Sequence, residues 1–166
     1  MAEAQAKSEA DDLCEQTLRG LPPDKRAAWL GFLRAHAAIV KGLDADLIAN
    51  FGIPLSAFQV LLGVAESENG YLRMSDVAGQ ARLSPSRASR LVTELARRGL
   101  LERRACEGDT RVVYAAITDD GRALAAKLER LHFEGIERRF FSALSGDQVA
   151  QLAEVWPRVL DAAAAS

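Results

Sequence analysis

The chain has 166 residues, 49% of them apolar, with 21 Lys and Arg against 23 Asp and Glu, a net charge of −2 and a pI near 5.7. That length supports one domain with a sizeable core, and the balance of apolar and charged residues describes a soluble globular protein, with no stretch of transmembrane length and no membrane partner expected. No apolar h-region opens the N-terminus, so the expected location is cytoplasmic, and two cysteines, Cys14 and Cys106, fit a reducing compartment.

Residues 1–22 are polar and alanine-rich, an arm that is either frayed or holds a short extra helix over Glu9 to Arg19. Pro22-Pro23 opens a long helix across 23–53. Its apolar positions, Trp29, Phe32, Leu33, His36, Ile39, Val40, Leu43 and Leu47, follow a helical period, and Gly52 and Pro54 close it. A second helix over Ser56 to Glu66 carries Phe58, Val60, Leu61, Leu62 and Val64. Tyr71 to Arg73 is a short strand.

The stretch from Met74 to Gly121 is the most informative. Ser75 is the expected cap of a short helix reaching Ala81, with Val77, Ala78 and Ala81 inward. Three residues later Ser84 is an N-cap, and Pro85 stands at the first helical position, where its missing N–H costs nothing. Ala88, Leu91, Val92 and Leu95 then form one apolar stripe, and Ser86, Arg90, Thr93 and Arg97 lie opposite, flanked by Arg87, Ser89 and Glu94. Gly99 ends the helix. Two helices with so short a connection describe a helix-turn-helix, whose second helix enters the major groove of DNA. Arginine reads guanine bidentately, and Ser or Thr reaches bases or phosphates.

A β-hairpin follows. Leu100 to Cys106 and Arg111 to Ile117 are the arms, and Glu107-Gly108-Asp109-Thr110 is the turn. Arg103 and Arg104 sit on one arm, and Arg111 starts the other. A hairpin tip is thin enough for a minor groove, whose negative potential attracts arginine, and Asp109 is placed to orient Arg111. After the wing, Thr118 caps a long helix with Asp119 and Asp120 in its first turn. Ser145-Gly146-Asp147-Gln148 has capping-box spacing before a last helix, in which Pro157 predicts a kink.

The acidic whole-chain balance hides a local one. Between Arg73 and Arg111 nine Arg face five Asp or Glu, a net of +4, while the remainder holds 12 basic and 18 acidic residues, a net of −6. A basic lobe on an acidic scaffold is steered toward DNA lobe-first.

Taken together, LSPSRASRLVTELARRGLLERR, then Asp109-Thr110-Arg111, then Ile117-Thr118-Asp119-Asp120-Gly121 resembles the MarR family of winged-helix transcription regulators. The family pattern is an Asp-x-Arg at the wing and a hydrophobic-Thr-x-x-Gly opening the next helix. A group within it carries a Trp and a His early in the first long helix, as Trp29 and His36 stand here. The resemblance covers roughly Trp29 onward. It implies a mainly α fold with a small β-hairpin wing (α+β): a first dimerisation helix at 23–53, a winged helix-turn-helix lobe at 54–118, and C-terminal dimerisation helices at 119–166.

The expected function is a homodimeric, sequence-specific DNA-binding regulator. Repression, with release by a small aromatic or anionic ligand, is the family's habit. The expected DNA-binding residues are Ser84, Ser86, Arg87, Ser89, Arg90, Thr93, Arg97, Arg104, Asp109 and Arg111. Trp29, His36, Phe58 and His132 are candidates for an effector pocket, since an aromatic wall with one or two polar groups suits a planar acid. Taken singly, each is more simply read as an ordinary core residue, a Trp or His with its N–H satisfied. The alternative is a protein-interaction module that keeps the winged scaffold without binding DNA. No catalytic motif appears, no cofactor is implied, and the scattered His and Cys residues lack the close pair spacing of a metal site. Cys106 beside arginines has a lowered thiol pKa in prospect, with a passive hairpin residue the simpler reading.

Overall fold

The computed structural model describes residues 17–105 and 112–165. The arm up to residue 16, with Cys14, and the wing tip, with Cys106, Asp109 and Arg111, lie outside the described residues.

The order of elements is α1 (Pro23–Phe51), α2 (Leu55–Ala65), β1 (Tyr71–Arg73), α3 (Met74–Gln80), α4 (Pro85–Arg97), β2 (Leu101–Ala105), β3 (Val113–Ile117), α5 (Asp119–Arg139), a 3-10 turn at Phe141–Ala143, and α6 (Gly146–Ala164). The chain divides into two compact units, one ending at Val40 and one running from Lys41 to Ser166. The helix α1 contributes to both.

The second unit holds the core. Leu47, Ile53, Phe58, Leu61 and Val64 are buried together with Val77, Ala88, Val92 and Leu95 of the helix-turn-helix, with Leu101 and Ala115 of the strands, and with Leu128 of α5. Burying a Leu or Phe side chain contributes about 2 kcal/mol, so this cluster fixes the arrangement of the helices. The three strands form one antiparallel sheet in the order β1-β3-β2, with Arg73 opposite Tyr114 and Arg103 opposite Ala115.

Long-range polar contacts finish the helix ends. Pro54 occupies the N-cap of α2 and has no side-chain oxygen to offer. The carboxylate of Asp44, on α1, supplies it instead, accepting from Leu55 N–H at 2.7 Å. Arg98 donates to the carbonyls of Gly52 (2.8 Å) and Phe51 (3.0 Å), past the last turn of α1, and Arg122 donates to the Ala65 carbonyl (3.0 Å) at the end of α2. Cations belong at helix C-termini, where unpaired carbonyls gather negative charge. Asp46 of α1 accepts from both Arg138 (2.8 Å) and Arg139 (2.9 Å) of α5.

Two expected boundaries move. Ser75 is not the cap of α3. The helix begins at Met74 directly from β1, so the extended Arg73 holds the cap position without a side-chain capping bond, and the Ser75 hydroxyl donates to Asp76 instead. Leu100 is not in the wing strand. It is consumed by the helix C-cap before it, and β2 starts at Leu101. The last helix continues through Pro157 to Ala164, after the expected capping box of Ser145 and Gln148.

Candidate nucleic-acid interface

The helix α4 is defined by its ends. Ser84 is extended, with φ −66° and ψ 148°, and its hydroxyl accepts from Arg87 N–H at 3.4 Å. Pro85 follows at the first position. At the other end Gly99 takes φ 73°, its N–H donates to Ala96 and that of Leu100 donates to Leu95, each at 2.9 Å. This is the paired C-terminal bond set that a left-handed residue permits. Between the ends, Ala88, Val92 and Leu95 are buried and Leu91 is half-buried, while Ser86, Arg87, Arg90, Thr93 and Arg97 are exposed and Ser89 is half-buried.

The exposed side chains are not equivalent. Arg97 is held by Glu94 through two bonds, at 2.9 and 2.6 Å, and this contact keeps the Glu94 carboxyl below its ordinary pKa. The hydroxyl of Thr93 donates to the Ser89 carbonyl (2.9 Å) and accepts from Arg103 of β2 (3.1 Å). The hydroxyls of Ser84 and Ser86 stand 3.3 Å apart. Among the described residues, no hydrogen bond or ion pair engages the guanidinium of Arg87 or Arg90. These two are the cations that α4 presents unspent.

The wing docks on this helix through the inner face of its sheet. Leu101, Arg103 and Ala115 share that face, which is why Arg103 reaches Thr93. Arg104, the wing arginine expected to meet DNA, points the other way. It lies opposite Tyr114 and is paired with Glu102 at 2.9 Å. The period-two alternation could have assigned Arg103 to the helix side, had the sheet's inner face been known from sequence.

Thr118 and Gly121 join the end of α4 to the start of α5. The Thr118 hydroxyl accepts from Gly121 N–H (2.9 Å) and donates to the Gly99 carbonyl (2.7 Å). A Cβ on Gly121 would collide with the Leu100 carbonyl oxygen, so no larger residue fits without displacing backbone. The hydrophobic-Thr-x-x-Gly pattern therefore has a mechanical role, since it fixes the exit of α4 against the next helix.

The turn between α3 and α4 carries one departure from expectation. Arg82 adopts φ 51°, the left-handed region, with its N–H donating to Gly79 (3.1 Å) and that of Leu83 to Ala78 (2.9 Å). A β-carbon there costs about 1 kcal/mol relative to glycine.

The sequence profile described as MarR family matches residues 51–112. Three solved structures share the fold. AbsC, a MarR family transcriptional regulator from Streptomyces coelicolor, is 26% identical with a TM-score of 0.79, over 89% of this chain and 99% of that one. Sco3205, a MarR family regulator from the same organism solved in complex with DNA, is 27% identical with a TM-score of 0.78, over 87% and 90%. Over the helix-turn-helix and the wing, the chain is similar to MarR family regulators. CouR from Rhodococcus jostii RHA1, solved bound to p-coumaroyl-CoA, is 26% identical with a TM-score of 0.64, over 78% and 90%. No curated protein matches.

The four effector candidates fall into two pairs. Trp29 and His36 flank Phe32 on α1, with ring centres 5.9 and 6.2 Å away, and both are exposed. Phe58 is buried against the ring of His132, centres 5.2 Å apart. Burial pushes the His132 pKa below its usual value, and its Nδ1 is buried without a hydrogen-bond partner among the described residues. No single helix among the described residues is long and apolar enough to cross a membrane.

Proposed function

We propose that this chain is a homodimeric, sequence-specific regulator that represses transcription from a pseudo-palindromic operator and releases it when a small aromatic or anionic molecule binds. The observation that carries the reading is α4 itself, a rigidly capped helix buried on one stripe and presenting Arg87 and Arg90, both unengaged, beside Ser86. Those groups suit base edges and phosphates in the major groove. Thr93 and Arg97 act differently in this reading. Thr93 ties the helix to the wing, and Arg97 meets DNA only by exchanging Glu94 for a phosphate. Ser84 and Ser89 serve the helix backbone at the same surface. Arg104, Asp109 and Arg111 belong to the wing, which approaches the minor groove. The structure of Sco3205 in complex with DNA supports DNA as the partner.

Dimerisation follows from apolar surface. Trp29, Phe32, Leu33, Val40 and Ile48 on α1 and Val155, Trp156, Val159 and Leu160 on α6 are exposed. Large apolar side chains left in water on a helix favour association, and a two-fold partner also matches a palindromic site. For the effector, the orphaned Nδ1 of His132 beside Phe58 offers one polar group on an aromatic wall, and Trp29 with His36 offers a second such pair. The ligand of CouR, an aromatic acid thioester, is of the expected class.

The test is binding to the chain's own upstream DNA, with and without a panel of aromatic acids. Expected are a footprint with two half-sites about one helical turn apart, steep weakening with salt, and loss of the footprint with at least one compound. Folded protein that passes a DNA column untouched at low salt would instead select a protein-interaction module.

A further inference from the structure

The chain contains two helix ends of the same design and fills them differently. The bonds that close α3 at Arg82 repeat, atom for atom, those that close α4 at Gly99. Among the described residues the other left-handed positions are Gly52, Gly70 and Gly99, and Arg82 is the one non-glycine. The backbone requirement is the same at both ends, so it does not explain an arginine. Nor do folded-state contacts. The residue is exposed, and among the described residues its guanidinium has no hydrogen bond or ion pair. A strained residue that returns nothing to the fold points to a task outside it.

Position identifies the task. Arg82 stands in the connection that leads into α4, two residues before its cap and on the approach to Arg87. When α4 lies in a major groove, the connection preceding it lies at the groove's rim, where phosphates rather than base edges are within reach. A guanidinium suits a phosphate there, as its planar fork matches the oxygens. We infer that Arg82 contacts the DNA backbone and is retained for that contact against the conformational preference of its own position. This inference rests on the DNA-binding reading above. It adds a positioning contact that reports no base identity, in a place where helix and wing do not reach.

Two variants separate charge from backbone strain. Arg82→Gly removes both, and Arg82→Gln removes the charge alone. Arg130→Gln is a charge-matched control on α5, distant in sequence from the helix-turn-helix. The probe is a mixed-sequence duplex of about 30 base pairs, read by fluorescence anisotropy across a salt series, with thermal melts of each protein alone. Both Arg82 variants should bind about tenfold more weakly at low salt, with the slope of log K against log salt reduced by about one. Arg82→Gly should also melt about 2–4 °C higher than wild type, and Arg82→Gln should not. The control should bind as wild type does. Wild-type affinity and slope in both Arg82 variants would overturn the inference, as would an Arg82→Gly protein no more stable than wild type. Absence of salt-sensitive binding by the wild type would overturn the DNA-binding reading and the inference with it.

Discussion

The helices α4 and α6 begin alike and end in opposite situations. Each starts with a serine whose hydroxyl accepts from the backbone three residues on, and each carries an apolar stripe. The stripe of α4 is buried by its own chain, while α6 has no buried residue and leaves Leu160 66% exposed. Local signals therefore set where a helix begins but not what covers it. The reading helix is completed inside one molecule, so its shape does not depend on protein concentration. Among the described residues the terminal helix is left uncovered, and under the proposed function a second copy of the chain covers it.

Matched truncations break this comparison most directly. Leu95→Ala should cost about 3 kcal/mol, lowering the melting temperature by about 6–12 °C at any protein concentration. Leu160→Ala should change the fold by no more than about 0.5 kcal/mol, yet move the self-association midpoint in sedimentation to higher concentration. Equal effects on folding from the two would abolish the distinction. A smaller effect is expected at the exit of α4. Gly121→Ala places a methyl group against the Leu100 carbonyl and should cost about 2 kcal/mol by thermal melt. The smallest concerns Asp46, whose carboxyl is held below its ordinary value of 3.8 by the hydrogen bond from Arg139. A depressed acid stabilises the fold above the unfolded-state value and loses that contribution as pH falls through the folded-state value. Asp46→Asn should lower the melting temperature by about 2 °C at pH 7, with the gap to wild type closing below about pH 4. A gap unchanged at pH 3 would show that the Arg139 contact does no electrostatic work.

The readable parts of this fold were those written in neighbouring residues. Ser84-Pro85, Gly99, Thr118 and Ser145 announce helix ends, and the spacing of Ala88, Val92 and Leu95 announces a buried stripe. The order of two short helices and a hairpin then identified the lobe. Contacts spanning the chain were not readable. Nothing near Arg98 in sequence indicates that it caps α1, because Gly52 becomes its neighbour only through the tertiary fold. Asp44 serving Leu55 and Arg122 serving Ala65 are the same case. At the interface, side-chain type identified the exposed face of α4 but not the commitments within it, since Thr93 and Arg97 are already bonded and Arg103 rather than Arg104 faces the helix. The left-handed Arg82 escaped notice because glycine is the usual marker of that backbone.

The sheet order gives the lobe one more property. The strand β1 pairs with β3, not with β2, so Arg73 and Tyr114 close the base of a loop that contains both helices of the helix-turn-helix. Such a loop resembles a purse drawn shut at its neck. Both helices are thereby tethered to the same sheet, α3 at its start through β1 and α4 beyond its end through the wing strands. Under the proposed function, a displacement of the sheet is therefore passed to α3 and α4 together rather than to either one alone.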